Sequence, residues 1–312
     1  MIYTLTLNPA IDLFIDTKSM HPNVVNRTEN YDIQANGKGV NVSFILKRLG
    51  IPNTALGIGG GFTLNYIEEV LDQSGIKNDF VHVKDPTRIN VFTRVQDEKQ
   101  EYKLVNKGPH TAPEQVDQLL DKLRQLEEDD VLSLSGSFSE GIEPEILIQI
   151  AQIAQENHFK LVLDTSYSAV MQTLSYQPYL IKPNDHELAN WFGYSDVPDR
   201  AHLIQMGKTL IQKGAQNVLI SLGAEGALYI NDTQVLYGNA AKGEVVNTAG
   251  SGDTMLGAFL GGLITGLRAP TNLKRALAAG SDTAFQSWIT NFENVPNLEK
   301  QIQIQTIEEW GN

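Results

Sequence analysis

The chain has 312 residues, a formal net charge of −13 at neutral pH and no cysteine. Its length allows one large α/β domain or two small ones, and no break in composition marks a boundary. The absence of thiols excludes disulfides, thiolate catalysis and cysteine metal sites; the acidic balance argues against nucleic acid or an anionic membrane as partner, so an anionic ligand would need a local basic pocket.

Taken in order, residues 2–7 alternate apolar residues with threonine and stop at Asn8-Pro9, as a strand entering a turn should. Asp12 follows, where a carboxylate could meet a ligand of an open parallel sheet or simply be a solvated turn residue. Residues 13–33 are short strand-like pieces carrying Arg27 and do not look like core. Asn36-Gly37-Lys38-Gly39-Val40-Asn41 then leads into an amphipathic helix closed by Gly50. It lacks the spacing of a P-loop, and Lys38 and Asn41 share a face at the helix start. A flexible turn with a solvated lysine is the alternative.

A strand is expected at 54–58, with Gly59-Gly60-Gly61 as a place for close backbone approach to a ligand, and then a helix over 62–73. Strands at 80–83, 89–95 and 101–105 follow without helices between them. The last two should pair and, with 13–33, form a small separate sheet beneath which Arg88, Asn90 and Lys107 could meet a ligand. Edge-strand gatekeeping would account equally for the cations.

From residue 113 helix and strand alternate. Helices are expected at 113–127, 143–157, 167–174 and 199–213, and strands at 131–135, 160–164, 179–181 and 217–221. That rhythm implies a parallel sheet covered by helices on both faces, with ligands beyond the strand C-termini. The residues there are Gly136-Ser137, Asp164-Thr165, Lys182-Pro183-Asn184 and Leu222-Gly223. Asn184 and Glu187, three apart at a helix start, suit either a capping box or a magnesium ion held through water. The six histidines show no metal-ligand spacing.

Ala249-Gly250-Ser251-Gly252-Asp253 opens a helix whose apolar residues Met255, Leu256, Phe259, Leu260 and Leu263 alternate with glycine and alanine. Its free amides favour an anion, and Gly250 and Gly252 admit one closely. Asp253 reads either as an N-cap or as a general base facing a hydroxyl. Residues 272–289 should form a last long helix, and the tail from 297 a terminal cover. The longest apolar stretch, about 255–267, falls short of the roughly 17–25 residues of a membrane span, and no signal peptide is visible, so a soluble cytoplasmic protein is expected.

Together, Asn8-Pro9-Ala10-Ile11-Asp12, Gly37-Lys38-Gly39-Val40-Asn41, Lys182-Pro183-Asn184-Asp185-His186-Glu187 and Ala249-Gly250-Ser251-Gly252-Asp253 resemble, in order and spacing, the signatures of the ribokinase-like (PfkB) sugar kinases. Gly60-Gly61-Phe62-Thr63, Thr87-Arg88-Ile89-Asn90-Val91 and Gly280-Ser281-Asp282-Thr283-Ala284-Phe285 add a resemblance to the 1-phosphofructokinase branch, with the tagatose-6-phosphate kinases next. The resemblance implies a three-layer α/β/α fold with a mainly parallel central sheet, formed by 1–312 as one kinase domain, with a β-lid from about 13–33 and 88–106 that often forms a homodimer contact.

It further implies ATP-dependent phosphorylation of the 6-hydroxyl of fructose 1-phosphate, with magnesium. Asp253 would be the base and Ala249, Gly250, Ser251 and Gly252 the anion hole. Asp12, Gly37, Gly39, Asn41, Asn90 and Ser137 would contact the sugar, and Lys38, Arg88 and Arg27 its phosphate. Asn184 and Glu187 would organise the metal, and Ser221, Gly223, Gly226 and Ser281 would line the nucleotide. A silent sugar-phosphate sensor on the same fold is the alternative of another class. Asn36, Leu64 and Tyr167 stand where glycines are common, and Ser251 where alanine is.

Overall fold

A computed structural model describes residues 1–309. The chain opens with β1 (Ile2–Thr6), leaves the main layer for β2 (Ala10–Thr17) and β3 (Asn30–Asn36), and returns through α1 (Lys38–Arg48), β4 (Asn53–Gly60), α2 (Gly61–Gln73) and β5 (Lys77–Val83). A second excursion forms β6 (Arg88–Val95) and β7 (Gln100–Leu104). The alternating run is α3 (Pro113–Leu123), β8 (Val131–Ser135), α4 (Ile146–Asn157), β9 (Lys160–Asp164), α5 (Val170–Thr173), β10 (Leu180–Ile181), α6 (Asp185–Trp191), α7 (Arg200–Gln212) and β11 (Asn217–Ser221). It ends with β12 (Ala227–Asn231), β13 (Gln234–Gly238), α8 (Ser251–Ile264), α9 (Ala269–Ala284), α10 (Val295–Leu298) and β14 (Ile304–Glu309).

The main sheet has ten strands in the order β14-β13-β12-β11-β10-β9-β8-β1-β4-β5. Pairing is parallel from β5 to β11 and antiparallel from β11 to β14. Successive residues of its strands enter opposite cores: Leu161, Leu163, Val218 and Ile220 face α3, α4 and α7, whereas Val162 and Leu219 face α1, α8 and α9. Burial on both faces is what a near-continuous apolar strand requires, and it makes the fold a three-layer α/β/α sandwich. On the second face α8 lies close against α1, because a Cβ at Gly257 would come within 2.7 Å of Ile45 Cγ2. Next to it Phe259 is fully buried, a burial worth about 1.5–3 kcal/mol.

The two excursions form the expected small sheet, in the order β3-β2-β6-β7. β2 pairs antiparallel with β3 and parallel with β6, which places Asp12 directly beside Asn90. The sheet is joined to β1 through Leu7-Asn8-Pro9, and its Asp12, Arg88 and Asn90 line a cavity together with Lys182, Asn184 and Ser221 at the C-terminal ends of the parallel strands, over which it stands as a lid.

Some expectations are corrected. Gly59, Gly60 and Gly61 serve packing: a Cβ at Gly59 would crowd Thr87 Oγ1 and Leu64 Cδ1, and the Gly60 amide donates to Thr87 Oγ1. Asp12 lies inside β2 rather than in a turn after β1. The strand at 80–83 is the inner part of β5, on the edge of the main sheet. The last long helix runs Ala269–Ala284 and stops before 289. The tail carries β14, an added sheet edge, and the β12–β13 hairpin lies in a stretch where no strands were expected.

Candidate active site

The end of β3 and the start of α1 meet the start of α8 beneath the lid. Gly37 caps α1 at φ +132°, a conformation open to glycine, and Gly250 caps α8 at φ +78°. Gly39 solves a different problem, since a Cβ there would run into Thr6 Oγ1 and the Leu5 carbonyl oxygen. Both helices thereby begin at the C-terminal ends of the parallel strands, with their first amides toward the same space.

That space is a cavity of about 360 Å³ lined by Asp12, Asn36, Gly37, Lys38, Asn41, Arg88, Asn90, Lys182, Asn184, Glu187, Ser221, Ala249, Gly250, Gly252 and Asp253, with Ala10. A second cavity of about 260 Å³ shares Lys38, Arg88 and Glu187 with it and adds Thr6, Asn8, Ser135, Gly136, Ser137 and Ser166. The two form one two-lobed site. Buried polar atoms without a protein partner gather around it: Asn41 Oδ1, Thr6 Oγ1, Ser135 Oγ and Arg88 Nε. Such atoms are costly to leave bare, so they favour a polar, hydroxyl-rich occupant.

The charges are arranged in layers. Asp164, fully buried at the end of β9, accepts through Oδ1 from Lys182 Nζ at 3.1 Å and from Lys38 Nζ at 3.3 Å. Burial alone would raise its pKa, but the two ammoniums hold it below the ordinary carboxylate value. Asp164 in turn pushes the Lys38 pKa up, so that lysine stays cationic. Asp253, buried in the first turn of α8, is held above the ordinary value, first by burial and against the pull of Lys38, with Asp164 adding repulsion. Its Oδ2 accepts from Asn41 Nδ2 at 2.9 Å. Asp253 does not cap the helix; the cap residue is Gly250 and has no side chain to offer.

On the lid side, Asp12 Oδ1 accepts from Asn90 Nδ2 at 2.8 Å, and Asn90 Oδ1 accepts from the Asn106 amide. Burial raises the Asp12 pKa, opposed by Asn90 and by Arg88. Arg88 donates to the Asn8 and Asn106 carbonyl oxygens. Asn184 and Glu187 realise the capping box: Asn184 Oδ1 accepts from the Glu187 amide at 2.7 Å and Glu187 Oε2 from the Asn184 amide at 2.9 Å. Both also line the cavity, so the capping and ligand readings coexist.

The remaining candidates are distributed unevenly. Ser137 lines the second lobe and accepts from Asn8 Nδ2. Ser251, at the first position of α8, buries its hydroxyl without a protein partner. Arg27 is exposed in the loop between β2 and β3 and lines neither lobe. Gly223 and Gly226 flank the short turn before β12, and Ser281 Oγ accepts from the Ala241 amide; none of the three lines the two lobes. Leu64 is fully buried, and Tyr167 packs its ring on Phe138. Asp164 and Lys182 were placed beyond strand C-termini by their position, at the last residue of β9 and just after β10, but received no individual role; their pairing with each other and with Lys38 is what the sequence reading missed.

The site can hold a polyanion against Lys38, Arg88, Lys182 and the α8 amides while a buried carboxylate faces the same space. Residues 5–290 match the family described as pfkB family carbohydrate kinase. The chain is 45% identical over 304 residues to a D-tagatose-1-phosphate kinase of Bacillus licheniformis, covering 97% of this chain and 99% of the relative. It is 36% identical over 308 residues to a 1-phosphofructokinase of Borreliella burgdorferi, covering 98% and 99%. Among solved structures, phosphofructokinase-2 from Escherichia coli in complex with substrates and products superposes with a TM-score of 0.88 at 25% identity, covering 96% and 98%. The chain belongs to the pfkB family of carbohydrate kinases.

Proposed function

We propose that this kinase transfers the γ-phosphoryl group of ATP to the 6-hydroxyl of a ketohexose 1-phosphate, with D-tagatose 1-phosphate preferred and its C4 epimer fructose 1-phosphate second. The observation that carries the reading is the two-lobed site. Arg88, Lys38 and the Ser135–Ser137 turn offer charge and hydroxyls at one end, and Asp253 with the α8 amides stands at the other. The preference between the epimers is supported by the relatives, of which the D-tagatose-1-phosphate kinase is 45% identical and the 1-phosphofructokinase 36%. A 6-phosphate acceptor such as tagatose 6-phosphate would have to bind reversed, and the sensor reading has no degenerate base or anion hole to motivate it.

In this reading the sugar phosphate sits against Arg88 and Lys38, with Ser137 and Asn8 beside it, and Asp12, Asn90 and Asn41 bind ring hydroxyls. Asp253 takes the proton of the 6-hydroxyl as its oxygen bonds to the γ-phosphorus. The bond to the β–γ bridging oxygen breaks, and ADP leaves with the electron pair. The amides of 250–253 receive the charge of the transferring group. Ser221, on the main lobe, would meet the nucleotide, whereas Gly223, Gly226 and Ser281, which line neither lobe, would meet only a part of it that extends beyond them. Asn184 and Glu187 already spend one oxygen each on the cap, and no cluster of three acidic, His or Cys ligands exists among the described residues, so they suit a magnesium ion that keeps its waters. Magnesium, when bound with the nucleotide, neutralises the phosphate oxygens. The whole chain acts as one kinase domain in the cytoplasm. A homodimer through the lid is supported by exposed Tyr31, Ile33, Tyr102 and Leu104 on its strands.

An ADP-release assay with magnesium-ATP tests the reading on D-tagatose 1-phosphate, fructose 1-phosphate, tagatose 6-phosphate and fructose 6-phosphate at matched concentrations. The 1-phosphates should lead in kcat/KM. Preference for either 6-phosphate would overturn the orientation, and silence on all four would overturn the kinase assignment for these sugars.

A further inference from the structure

Asn36 closes β3 at the edge of the main lobe, and the structure gives its side chain work that a glycine could not do. It is the last residue of β3, pairs with Ala10 and lines the main lobe. The positive φ of this turn falls on Gly37, so Asn36 is not there for backbone freedom.

Its side chain has one self-consistent orientation. The Gly37 amide lies 2.6 Å from one terminal atom of Asn36, and an N–H can only donate, so that atom is Oδ1. The same oxygen lies 3.0 Å from a terminal atom of Asn41, which must then be Nδ2. That nitrogen is 2.9 Å from Asp253 Oδ2. Both Asn41 amide hydrogens are thereby assigned, one to Asn36 and one to Asp253. Asn41 Oδ1, buried and without a protein partner, is left as an acceptor in a residue that lines the cavity. Without Asn36 the Asn41 amide has a single anchor and can turn its oxygen toward Asp253, an acceptor against an acceptor.

We propose that Asn36 is a positioning residue for phosphoryl transfer, fixing the Asn41 carboxamide so that its nitrogen orients the Asp253 carboxylate and its oxygen awaits a hydroxyl of the acceptor. This rests on Asp253 being the base. Asn36 touches neither Asp253 nor the transferring group in this relay; it acts through Asn41.

The test compares Asn36→Ala, Asn36→Asp and Asp253→Asn with the wild type in the ADP-release assay across pH, with D-tagatose 1-phosphate and fructose 1-phosphate. Asn36→Ala should lower plateau kcat roughly tenfold, as expected for weakening a hydrogen bond to a charged group, while the KM for ATP stays put. Its acid limb should move to higher pH, because Asp253 loses the steady hydrogen bond that opposes burial. The charged groups around Asp253 are Lys38 from α1, Asp164 from the end of β9 and Lys182 after β10, with Glu187 of α6 across the cavity, and all are unchanged in the variant.

Asn36→Asp keeps an oxygen for both Gly37 and Asn41. Above its acid limb it should recover kcat to within about threefold of wild type, a rescue that mere filling of space would not predict. Wild-type plateau and limb in Asn36→Ala, or equal loss in Asn36→Asp and Asn36→Ala at every pH, would overturn the proposal while an inactive Asp253→Asn left the base assignment standing. Near-wild-type turnover in Asp253→Asn would overturn the base assignment and this proposal with it.

Discussion

Asp164→Asn probes the most heavily buried electrostatics of the molecule. The wild-type carboxylate is fully buried and meets Lys182 Nζ at 3.1 Å and Lys38 Nζ at 3.3 Å, with side-chain exposures of 4% and 40% for the two lysines. At an effective dielectric near 20, the Lys182 contact alone corresponds to about 5 kcal/mol of attraction. The Lys38 contact has similar geometry but is partly open to water, so it is discounted to a fraction of that. Against both stands the desolvation of Asp164, which the neutral variant no longer suffers. The balance is about 3–5 kcal/mol lost, the usual cost of breaking a buried pair from one side, because Lys182 remains buried and charged.

The assay is urea unfolding of both proteins at pH 7 and over a descending pH series. The Asp164 pKa is lowered in the fold, so its contribution is complete above the unfolded value of about 4 and disappears as pH falls through the folded value. The gap between the proteins should therefore close in acid. Adding Lys182→Met to Asp164→Asn should restore at least half of the loss by removing the stranded ammonium. A loss below about 1 kcal/mol at pH 7, or no relief from the second substitution, would refute the reasoning.

Asp253→Asn should reduce kcat by at least ~10²-fold in the ADP-release assay. It should also raise the melting temperature at neutral pH: the Asp253 pKa is raised in the fold, so its stabilising share is present below the unfolded value and lost as pH rises through the folded one. For the same reason the wild-type acid limb should lie above the ordinary carboxylate range, as read from kcat/KM against pH. Arg88→Ala should raise the sugar-phosphate KM about 10- to 100-fold with the ATP KM unchanged, the loss of a charged hydrogen-bonding partner, measured by steady-state kinetics. Gly39→Ala has no room between Thr6 and Leu5 and should give insoluble or inactive protein, judged by yield and circular dichroism.

The alternating run from 113 to 221 was legible because buried parallel strands need unbroken apolar runs and their helices a 3.6-residue stripe. The α8 turn and Lys38-x-x-Asn41 were legible as helix starts because glycine and polar residues precede apolar periodic runs there, although a solvated turn and an N-cap stayed open until the fold placed both on one cavity. Asp164 with Lys182 was not, because their meeting depends on β9 and β10 being neighbours, which is a fact of sheet order. Asn36 was read only as a departure from a common glycine, since neither the φ of Gly37 nor the direction of Asn41 is visible in one dimension. β14 escaped because Ile304–Glu309 is a half-exposed edge strand whose polar residues resemble a tail. β12 and β13 are short strands joined by a two-residue turn at Asp232-Thr233, a hairpin signal that went unused.

The order of the main sheet also has a consequence for synthesis on the ribosome. Among the described strands the earliest, β1, takes a place between β8 and β4, whereas the latest, β14, is the outermost on its side. The layer can thus grow outward from an early nucleus, but its β13 margin stays open until Ile304–Glu309 emerge. During that interval Val235 and Leu236, buried in the finished protein, lie beside unpaired main-chain groups. A stop codon or protease nick just before Ile304 would make that interval permanent. Chains shortened there should retain the parallel layer yet self-associate edge to edge, so the integrity of the β14 segment governs colloidal behaviour more than chemistry.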